Sequence, residues 1–209
     1  RYAEGKFERL PGLTAELVQL KVDVIVTVGT SSHSAAQKAT TTIPIVMVNM
    51  VDPVGSGLVK SLARPGGNIT GLASLLNELA PKHLEMLRGM VPKLSRVAIL
   101  LRPTNSSHAT ILKIVQAAAQ KSGVKILPVE ARTPQEIEKA FFTMNRENAG
   151  AVMVAVDGLF TQQMHQIAEL AAKHRLPSIW ANRDYVEAGG LMSYESNRAE
   201  QFGRAATYG

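Results

Sequence analysis

The sequence VDVIVTVGTSSHS, residues 22–34, joins a short apolar run to a turn rich in hydroxyl side chains. The run from Asp23 to Val28 has the length and the β-branched content of a buried strand. The turn that follows leads into a segment of helical character, Ser34 to Ala39. A strand, a turn and a helix in this order form the repeating unit of parallel sheets.

Short apolar runs rich in Val and Ile recur along the chain and alternate with segments of helical period. The further predicted strands are Ile45 to Val51, Ile69 to Ser74, Arg96 to Leu101, Lys125 to Glu130, Ala151 to Val156, Ser178 to Ala181 and Leu191 to Tyr194. The predicted helices lie near residues 11–21, 34–39, 58–63, 79–90, 108–122, 134–147, 162–174 and 198–206. This alternation predicts the α/β fold class, with parallel sheets flanked by helices.

One helix start carries an explicit signal. Thr133 is a favoured N-cap residue, and Pro134 suits the first helical position. Glu136 follows at the spacing that completes a capping box. The sequence therefore predicts a helix that begins at Pro134.

Charge and composition limit the classes of function. The net charge is +6 and the pI is about 9.7, but Lys and Arg are scattered among acids and aromatic residues make up only 5%. Nucleic-acid binding needs several cations on one face, so no nucleic-acid partner is expected. Cysteine is absent, which excludes disulfides, thiolate metal sites and cysteine nucleophiles. We expect no metal and no cofactor.

The ends of the chain and its apolar runs bear on the membrane. The longest runs are far shorter than the roughly 20 residues that cross a bilayer. The sequence begins at Arg1 with neither an initiator methionine nor a signal peptide, and it stops inside a predicted helix. We therefore expect a fragment of a longer protein, without membrane spans of its own.

Ligands of parallel sheets bind beyond the carboxyl ends of the strands, so the residues that follow each strand are candidates for a site. Thr30, Ser31 and Ser32 follow the first predicted strand and offer hydroxyl and backbone N–H groups to a carboxylate. Plain helix capping explains these residues equally well.

A second turn of the same kind follows the strand that ends at Leu101. It supplies Asn105 and Ser106 as candidate ligand contacts. Its sequence Ser-Ser-His at 106–108 repeats the sequence at 31–33. The recurrence marks two related half-sites or is a coincidence of a short string.

Two further strand ends carry charged side chains. Asp157 can receive an ammonium or hydroxyl group of a ligand, or it can cap the helix that follows. Asn182 and Arg183 come after another strand. Arg183 either contacts a ligand or pairs with Asp184 or Glu187.

Enzyme motifs fail at residues that they need. The turn at 29–33 approaches the nucleophile elbow Gly-x-Ser-x-Gly, but His33 occupies the position of the second small residue. Residues 54–58 contain two glycines after a strand, but Lys60 stands where a dinucleotide-binding loop has its third glycine. We expect no enzyme activity. Three histidines on polar helix faces are predicted to be solvated: His83, His165 and His174.

Two points along the chain suit crossings between lobes. The polar stretch near 74–78 precedes a new series of helices and strands, and the glycine pair at 189–190 is the second point. If both are crossings, residues 1–73 and 191–209 form an incomplete lobe I, and residues 79–188 form lobe II. Such a chain makes a hinge.

The segment DPVGSGLVKSLARPGGNITG, residues 52–71, resembles the hallmark segment of the ABC-transporter substrate-binding family that is often labelled tryptophan/tyrosine uptake-like. The resemblance extends to residues 22–26, 167–177 and 187–194 and covers essentially the whole chain. Asp52 opens the hallmark segment and is a further candidate ligand contact.

The resemblance implies a two-lobed type I periplasmic-binding-protein fold, truncated here at both ends, whose hinge closes over a ligand. It implies an extracytoplasmic protein, periplasmic or anchored as a lipoprotein, that works as a monomer and delivers a small molecule to an ABC permease. It places ligand contacts in the loops already identified, at Thr30, Ser31, Asn105, Asp157 and Asn182.

The resemblance leaves the ligand open. Members that take amino acids hold the carboxylate on hydroxyl and N–H groups and the ammonium on an acid, which here would be Asp157. Those members tend to have Asp-Asn-Thr where this chain has Asp157-Gly158-Leu159. An α-amino acid and an aromatic or other organic acid are both compatible. The candidate stacking partners are Phe160, Trp180 and Tyr185.

These expectations together predict the solute-binding component of an ABC importer, which binds an amino acid or an aromatic or organic acid between two lobes without chemical turnover. Two alternatives stay open. The first is the ligand-sensing effector domain of a transcriptional repressor, which shares the fold. The second is an α/β hydrolase that works from Ser31 or Ser56.

Overall fold

The computed structural model describes residues 1–4, 6–73, 76–181, 183–195 and 198–208. Its strands are β1 (Ile25–Val28), β2 (Ile45–Met50), β3 (Ile69–Ala73), β4 (Arg96–Leu101), β5 (Lys125–Glu130), β6 (Ala151–Val154), β7 (Ser178–Trp180) and β8 (Met192–Ser193). Its helices are α1 (Leu10–Gln19), α2 (Thr30–Ala39), α3 (Leu76–Met90), α4 (His108–Ser122), α5 (Pro134–Arg146), α6 (Gly158–Gln162), α7 (Met164–Lys173), α8 (Asp184–Glu187) and α9 (Arg198–Ala205). A strand forms at each predicted position, and the α/β class is confirmed.

The chain divides into two compact units. Unit 1 comprises Arg1–Ser74 and Ser196–Gly209, and unit 2 comprises Leu75–Glu195. The prediction that the chain leaves the second lobe at 189–190 is wrong for residues 191–195, because β8 pairs in parallel with β7 and so belongs to unit 2. A Cβ atom on Gly190 would lie 2.3 Å from the ring of Tyr185, so this glycine lets the chain pack against unit 2.

The sheet of unit 1 has the order β1-β2-β3, with all neighbours parallel. Its central strand β2 is covered on both faces, as expected of a continuous apolar run. One face packs in a core of Ile25, Ala36, Ile45, Met47, Met50, Leu58, Val59 and Ile69. The other face packs against helix α9, with Val46, Val48 and Ala205 buried together.

A glycine fixes the close approach of β2 and β3. Gly71 has a φ of 134°, a conformation that side chains rarely adopt. A Cβ atom there would lie 2.0 Å from the carbonyl oxygen of Met47. The register of the two strands shifts between Met47 and Met50, so Gly71 accommodates an irregular pairing.

The helix predicted at 58–63 is wrong. The backbone N–H groups of Leu58 and Val59 both donate to the carbonyl of Pro53, and that of Lys60 donates forward to the carbonyl of Pro65. These bonds replace the helical ladder because Gly57 adopts a φ of 74° and turns the chain back. Leu58 and Val59 are nevertheless buried in the core of unit 1.

The sheet of unit 2 has the order β5-β4-β6-β7-β8, and all of its described neighbours are parallel. The central strands β4 and β6 are buried almost throughout. The largest buried side chains of its main core are Trp180, Tyr185, Phe141 and Phe160. Because the strands are parallel, the loops after β4, β6 and β7 emerge at one edge of this sheet.

The predicted helix start at Pro134 is confirmed. Thr133 Oγ1 accepts a hydrogen bond from the N–H of Glu136 at 3.2 Å. The Glu136 carboxylate accepts from the N–H of Arg132 at 2.7 Å, one residue before the cap rather than at the cap itself. Two backbone donors at the start of α5, those of Glu136 and Arg132, are therefore satisfied by side chains.

Within the described part of the chain, no helix is both long enough and apolar enough to span a bilayer.

Candidate functional site

In unit 1 the hydroxyl-rich turn begins α2. Gly29 is the N-cap residue, with a φ of 88° that suits glycine. Thr30 and Ser31 are half-buried in the first helical turn. Ser32 Oγ lies 2.5 Å from the carbonyl oxygen of Val28 and 2.8 Å from that of Gly29. Since a hydroxyl has a single proton to donate, Ser32 could meet a ligand only as an acceptor.

Asp52 lies in unit 1 after the end of β2. Its side chain is exposed, and Oδ1 accepts a hydrogen bond from the N–H of Gly55 at 2.8 Å. Its φ of 49° and this bond form a local turn in the hallmark segment. Asp52 therefore has an evident role in shaping the loop, and its contact with a ligand stays a prediction.

In unit 2 the loop after β4 and the loop after β6 meet at Asp157. The Asp157 side chain is only 2% exposed. Oδ1 accepts from the N–H of Leu159 at 2.7 Å and lies 3.4 Å from Nη1 of Arg102, and Oδ2 accepts from Nδ2 of Asn105 at 2.8 Å. The sequence predicted Asn105 and Asp157 as members of one site, and the structure brings them into contact.

The network continues from Asn105 along the loop that precedes α4. Both the N–H and the hydroxyl of Ser107 donate to Oδ1 of Asn105, at 3.2 and 2.8 Å. Nδ1 of His108 accepts from the N–H of Arg102 at 2.7 Å, so Nε2 carries the proton and points to the carbonyl of Val156 at 3.3 Å. Arg102, Asn105, Ser107, His108 and Asp157 are referred to below as the Asp157 cluster.

Sequence reasoning missed three members of the Asp157 cluster. It selected Ser106, which is exposed, while its neighbour Ser107 is buried and bonded. Arg102 directly follows the end of β4, so the strand-end criterion could have found it. His108 was visible as part of the recurring Ser-Ser-His sequence.

Asn182 lies outside the described residues. The side chain of Arg183 is 83% exposed, and its Nε lies 3.2 Å from Oε1 of Glu187. This is the ion pair that the sequence offered as the alternative to a ligand contact. An exposed pair of this kind contributes little to stability, so Glu187 holds Arg183 only loosely.

The prediction that three aromatic side chains stack on a ligand is wrong, because none of the three lies at the surface. Phe160, Trp180 and Tyr185 are at most 1% exposed and belong to the core of unit 2. The rings of Trp180 and Tyr185 meet edge to face at 4.6 Å, and the Tyr185 hydroxyl donates to Ser178 Oγ at 2.9 Å. Their aromatic faces are used in internal packing.

The two Ser-Ser-His turns place their histidines alike. Nδ1 of His33 lies 2.7 Å from Thr27 Oγ1, just as Nδ1 of His108 meets the backbone of Arg102. Each buried ring thus ties the start of a helix to the end of the preceding strand. The shared role is structural.

Burial lowers the pKa of His33 to about 4, which the carbonyl of Val48 offsets only in part. The Val48 carbonyl does not complete a hydrogen bond with good geometry, so Nε2 of His33 is buried without a hydrogen-bond partner. Burial also lowers the pKa of His108, against the attraction of the Val156 carbonyl and of Asp157. Both histidines are neutral at pH 7.

The prediction that His83 is solvated is wrong. His83 is buried, and its Nε2 lies 2.7 Å from the carbonyl oxygen of Tyr194. His174 is half-buried and packs against the rings of Phe141 and Phe142. His165 is exposed.

Unit 2 also has a surface groove of about 290 Å³. It lies at the amino end of β7, whereas the loops that carry the candidate site residues lie at the carboxyl ends of the strands. None of the predicted site residues lines it. The lining residues are Ala168, Ala171, Ala172, Arg175, Leu176, Pro177, Ser178, Gly189 and Leu191.

Across the described ranges, no group of three or more His, Asp or Glu side chains is arranged to hold a metal ion.

The loops described above carry the residues that the family resemblance assigned to a site. The model of the family described as ABC transporter substrate binding protein matches residues 1–208. The chain belongs to this family. Its members are substrate-binding proteins of ABC transporters and not enzymes.

Two solved structures share the fold of this family member. A conserved domain protein from Vibrio cholerae O1 biovar El Tor superposes with a TM-score of 0.89 at 25% identity, over 97% of this chain and 67% of that chain. The ABC domain in complex with L-Trp from Streptococcus pneumonia superposes with a TM-score of 0.88 at 22% identity, over 97% and 69%.

A curated relative adds sequence similarity. The tyrosine-binding protein of Clostridioides difficile (strain R20291) is 26% identical over 189 residues, which cover 90% of this chain and 54% of the relative. The chain thus spans about half the length of this relative.

Proposed function

We propose that this family member is the extracytoplasmic solute-binding component of an ABC importer and that it binds one small organic molecule without changing it. The observation that carries the proposal is the family match over residues 1–208. The names of the similar proteins, one a tyrosine-binding protein and one a complex with L-Trp, support an amino acid or a related organic acid as the ligand.

The proposed ligand contacts lie at the carboxyl ends of parallel strands, where α/β proteins bind small molecules. The hydroxyl and backbone N–H groups of Thr30 and Ser31 at the start of α2 suit a carboxylate or another acceptor of the ligand, and Ser32 suits a donor of the ligand. The Asp157 cluster supplies buried polar groups in unit 2. The contacts proposed are Thr30, Ser31, Ser32 and Asp52 in unit 1, and Asn105, Ser106, Asp157, Asn182 and Arg183 in unit 2.

The remaining expectations concern the protein in its cell. We expect the two units to act as the lobes of a hinged receptor that works as a monomer and docks on a membrane permease. We expect the protein to be periplasmic or anchored as a lipoprotein on the extracytoplasmic face. Fractionation of cells that express the full-length protein, with and without globomycin to block lipoprotein processing, checks both localisations.

A thermal-shift screen of the full-length protein against a panel of amino acids and small organic acids tests the proposal. A ligand present at about 100 times its Kd adds about 2.7 kcal/mol to the free energy of unfolding and raises Tm. We expect at least one compound to do this without being consumed. A Tm that stays constant across the panel would contradict the proposal.

A pair of variants tests where that ligand binds. Ser31→Ala removes a hydroxyl at the start of α2, and Ser122→Ala removes one at the far end of α4, where it bonds the carbonyl of Ala118. We expect the ligand-induced shift to shrink in Ser31→Ala and to stay unchanged in Ser122→Ala. Equal shifts in both variants would remove Ser31 from the site.

A further inference from the structure

Asp157 is the acid that an α-amino acid would need in unit 2. Among the residues that the structure describes, it is the only buried carboxylate. A ligand ammonium held away from water requires such a partner, because an unpaired buried charge is costly. The state of Asp157 therefore bears directly on the class of ligand.

The Asp157 carboxylate is already committed inside unit 2. It accepts hydrogen bonds from Leu159 N–H, Asn105 Nδ2 and Arg102 Nη1. With 2% of its side chain exposed, it has almost no surface left for a ligand. An incoming ammonium would have to displace one of these donors.

Of the two charged side chains in this cluster, Arg102 is the more exposed. Arg102 and Asp157 form an ion pair, and 16% of the Arg102 side chain is exposed against 2% of that of Asp157. A ligand ammonium that approaches the guanidinium would be repelled, whereas a carboxylate would be attracted. The other titratable member of the Asp157 cluster, His108, is neutral and does not alter this balance.

We infer that the Asp157 cluster makes the site select a small organic acid without an ammonium group over the corresponding α-amino acid. This revises one of the proposed contacts: Asp157 serves as the internal counter-ion of Arg102 rather than touching the ligand, and the guanidinium of Arg102 is the positive group in unit 2 that the ligand carboxylate meets. This inference rests on the proposed function, since it names the ligand class of the same site.

Matched pairs of compounds isolate the ammonium group. L-Tyrosine is compared with 3-(4-hydroxyphenyl)propanoate, L-tryptophan with indole-3-propanoate, L-phenylalanine with 3-phenylpropanoate and L-leucine with 4-methylpentanoate. Calorimetry on the full-length protein at pH 7 gives a Kd for each. Like charges brought together cost several kcal/mol, so the acid of at least one pair should bind about tenfold or more tighter than its amino acid.

The variant Arg102→Gln tests the assignment to the ion pair. It removes the guanidinium and leaves Asp157 bonded to Leu159 and Asn105 but without a cation, so affinity for the acid should fall at least about tenfold while the matched amino acid gains affinity. Arg146→Gln is the matched control, because Arg146 lies on the surface of the same unit with 75% of its side chain exposed. It should keep the wild-type preference. Circular dichroism checks that both variants are folded. If Arg102→Gln does not fold, Asn105→Ala takes its place. It removes one hydrogen bond to Asp157 and should show the same loss of preference.

The outcomes separate the two proposals. An amino acid that binds as tightly as its acid, or tighter, overturns the inference and leaves the proposed function standing. A preference for the acid that survives unchanged in a folded Arg102→Gln also overturns it. If no compound of any class binds, the proposed function and the inference both fall.

Discussion

His33 links the stability of unit 1 to pH. Its pKa is lowered from 6.5 to about 4 in the folded protein by burial, so the folded state resists protonation that the unfolded chain accepts. The contribution of His33 to the free energy of unfolding is fully present above pH 6.5 and is lost as the pH falls from 6.5 towards 4. At 1.36 kcal/mol for each pKa unit, the loss from this residue is about 3 kcal/mol. Urea unfolding at a series of pH values between 7 and 4 measures it.

The variant His33→Gln cannot titrate and should show a shallower decline of unfolding free energy with falling pH. His165→Gln serves as its control, since it removes an exposed histidine and should follow the wild type. A decline as steep in His33→Gln as in the wild type would show that other groups cause the acid sensitivity.

At the scale of single residues, part of the candidate site follows from the sequence. Asn105 and Asp157 could be placed together because both follow parallel strands, whose carboxyl ends share one edge. The ion pair of Asp157 with Arg102 could not, since it depends on how two loops fold towards each other. The choice between Ser106 and Ser107 depends on the phase of a short turn, which residue order does not fix.

At the scale of elements, Gly71 is required by the pairing of β2 and β3. Gly71→Ala would force a Cβ atom to within 2.0 Å of the Met47 carbonyl oxygen at a φ of 134°. We expect the free energy of unfolding to fall by about 2 kcal/mol or more, from strain and displaced backbone together.

The control is Gly67→Ala in the loop just before β3, where an added Cβ would meet nothing within 4 Å. It should change stability by less than about 1 kcal/mol. Thermal or urea unfolding of both variants checks the pair. Equal stabilities would mean that β2 and β3 tolerate a side chain at Gly71 by shifting register.

The elements themselves were mostly predictable. Apolar runs such as β4 and β6 read as strands because both faces of a parallel sheet are buried. Thr133 and Pro134 marked the start of α5 by local chemistry. The helix predicted at 58–63 failed because a left-handed glycine at 57 and the bond from Lys60 to Pro65 determine that loop, and neither has a periodic signal.

At the scale of the whole molecule, the family was predictable and the unit boundary was less so. The segment at 52–71 is long and specific enough to identify the family, and the match over residues 1–208 confirms it. The position of residues 191–195 was not predictable, because β8 is only two residues long and joins unit 2 through its pairing with β7. The packing of Gly190 on Tyr185 gives no periodic signal either.

The central claim is that the protein binds one small organic molecule and leaves it unchanged. Native mass spectrometry of the full-length protein tests it most directly, first as purified from cells and then after incubation with the panel of amino acids and organic acids. The account predicts a complex with one ligand per chain, from which unfolding releases the intact compound. A protein that shows only its ligand-free mass with every compound, or that releases a chemically altered one, would contradict the account.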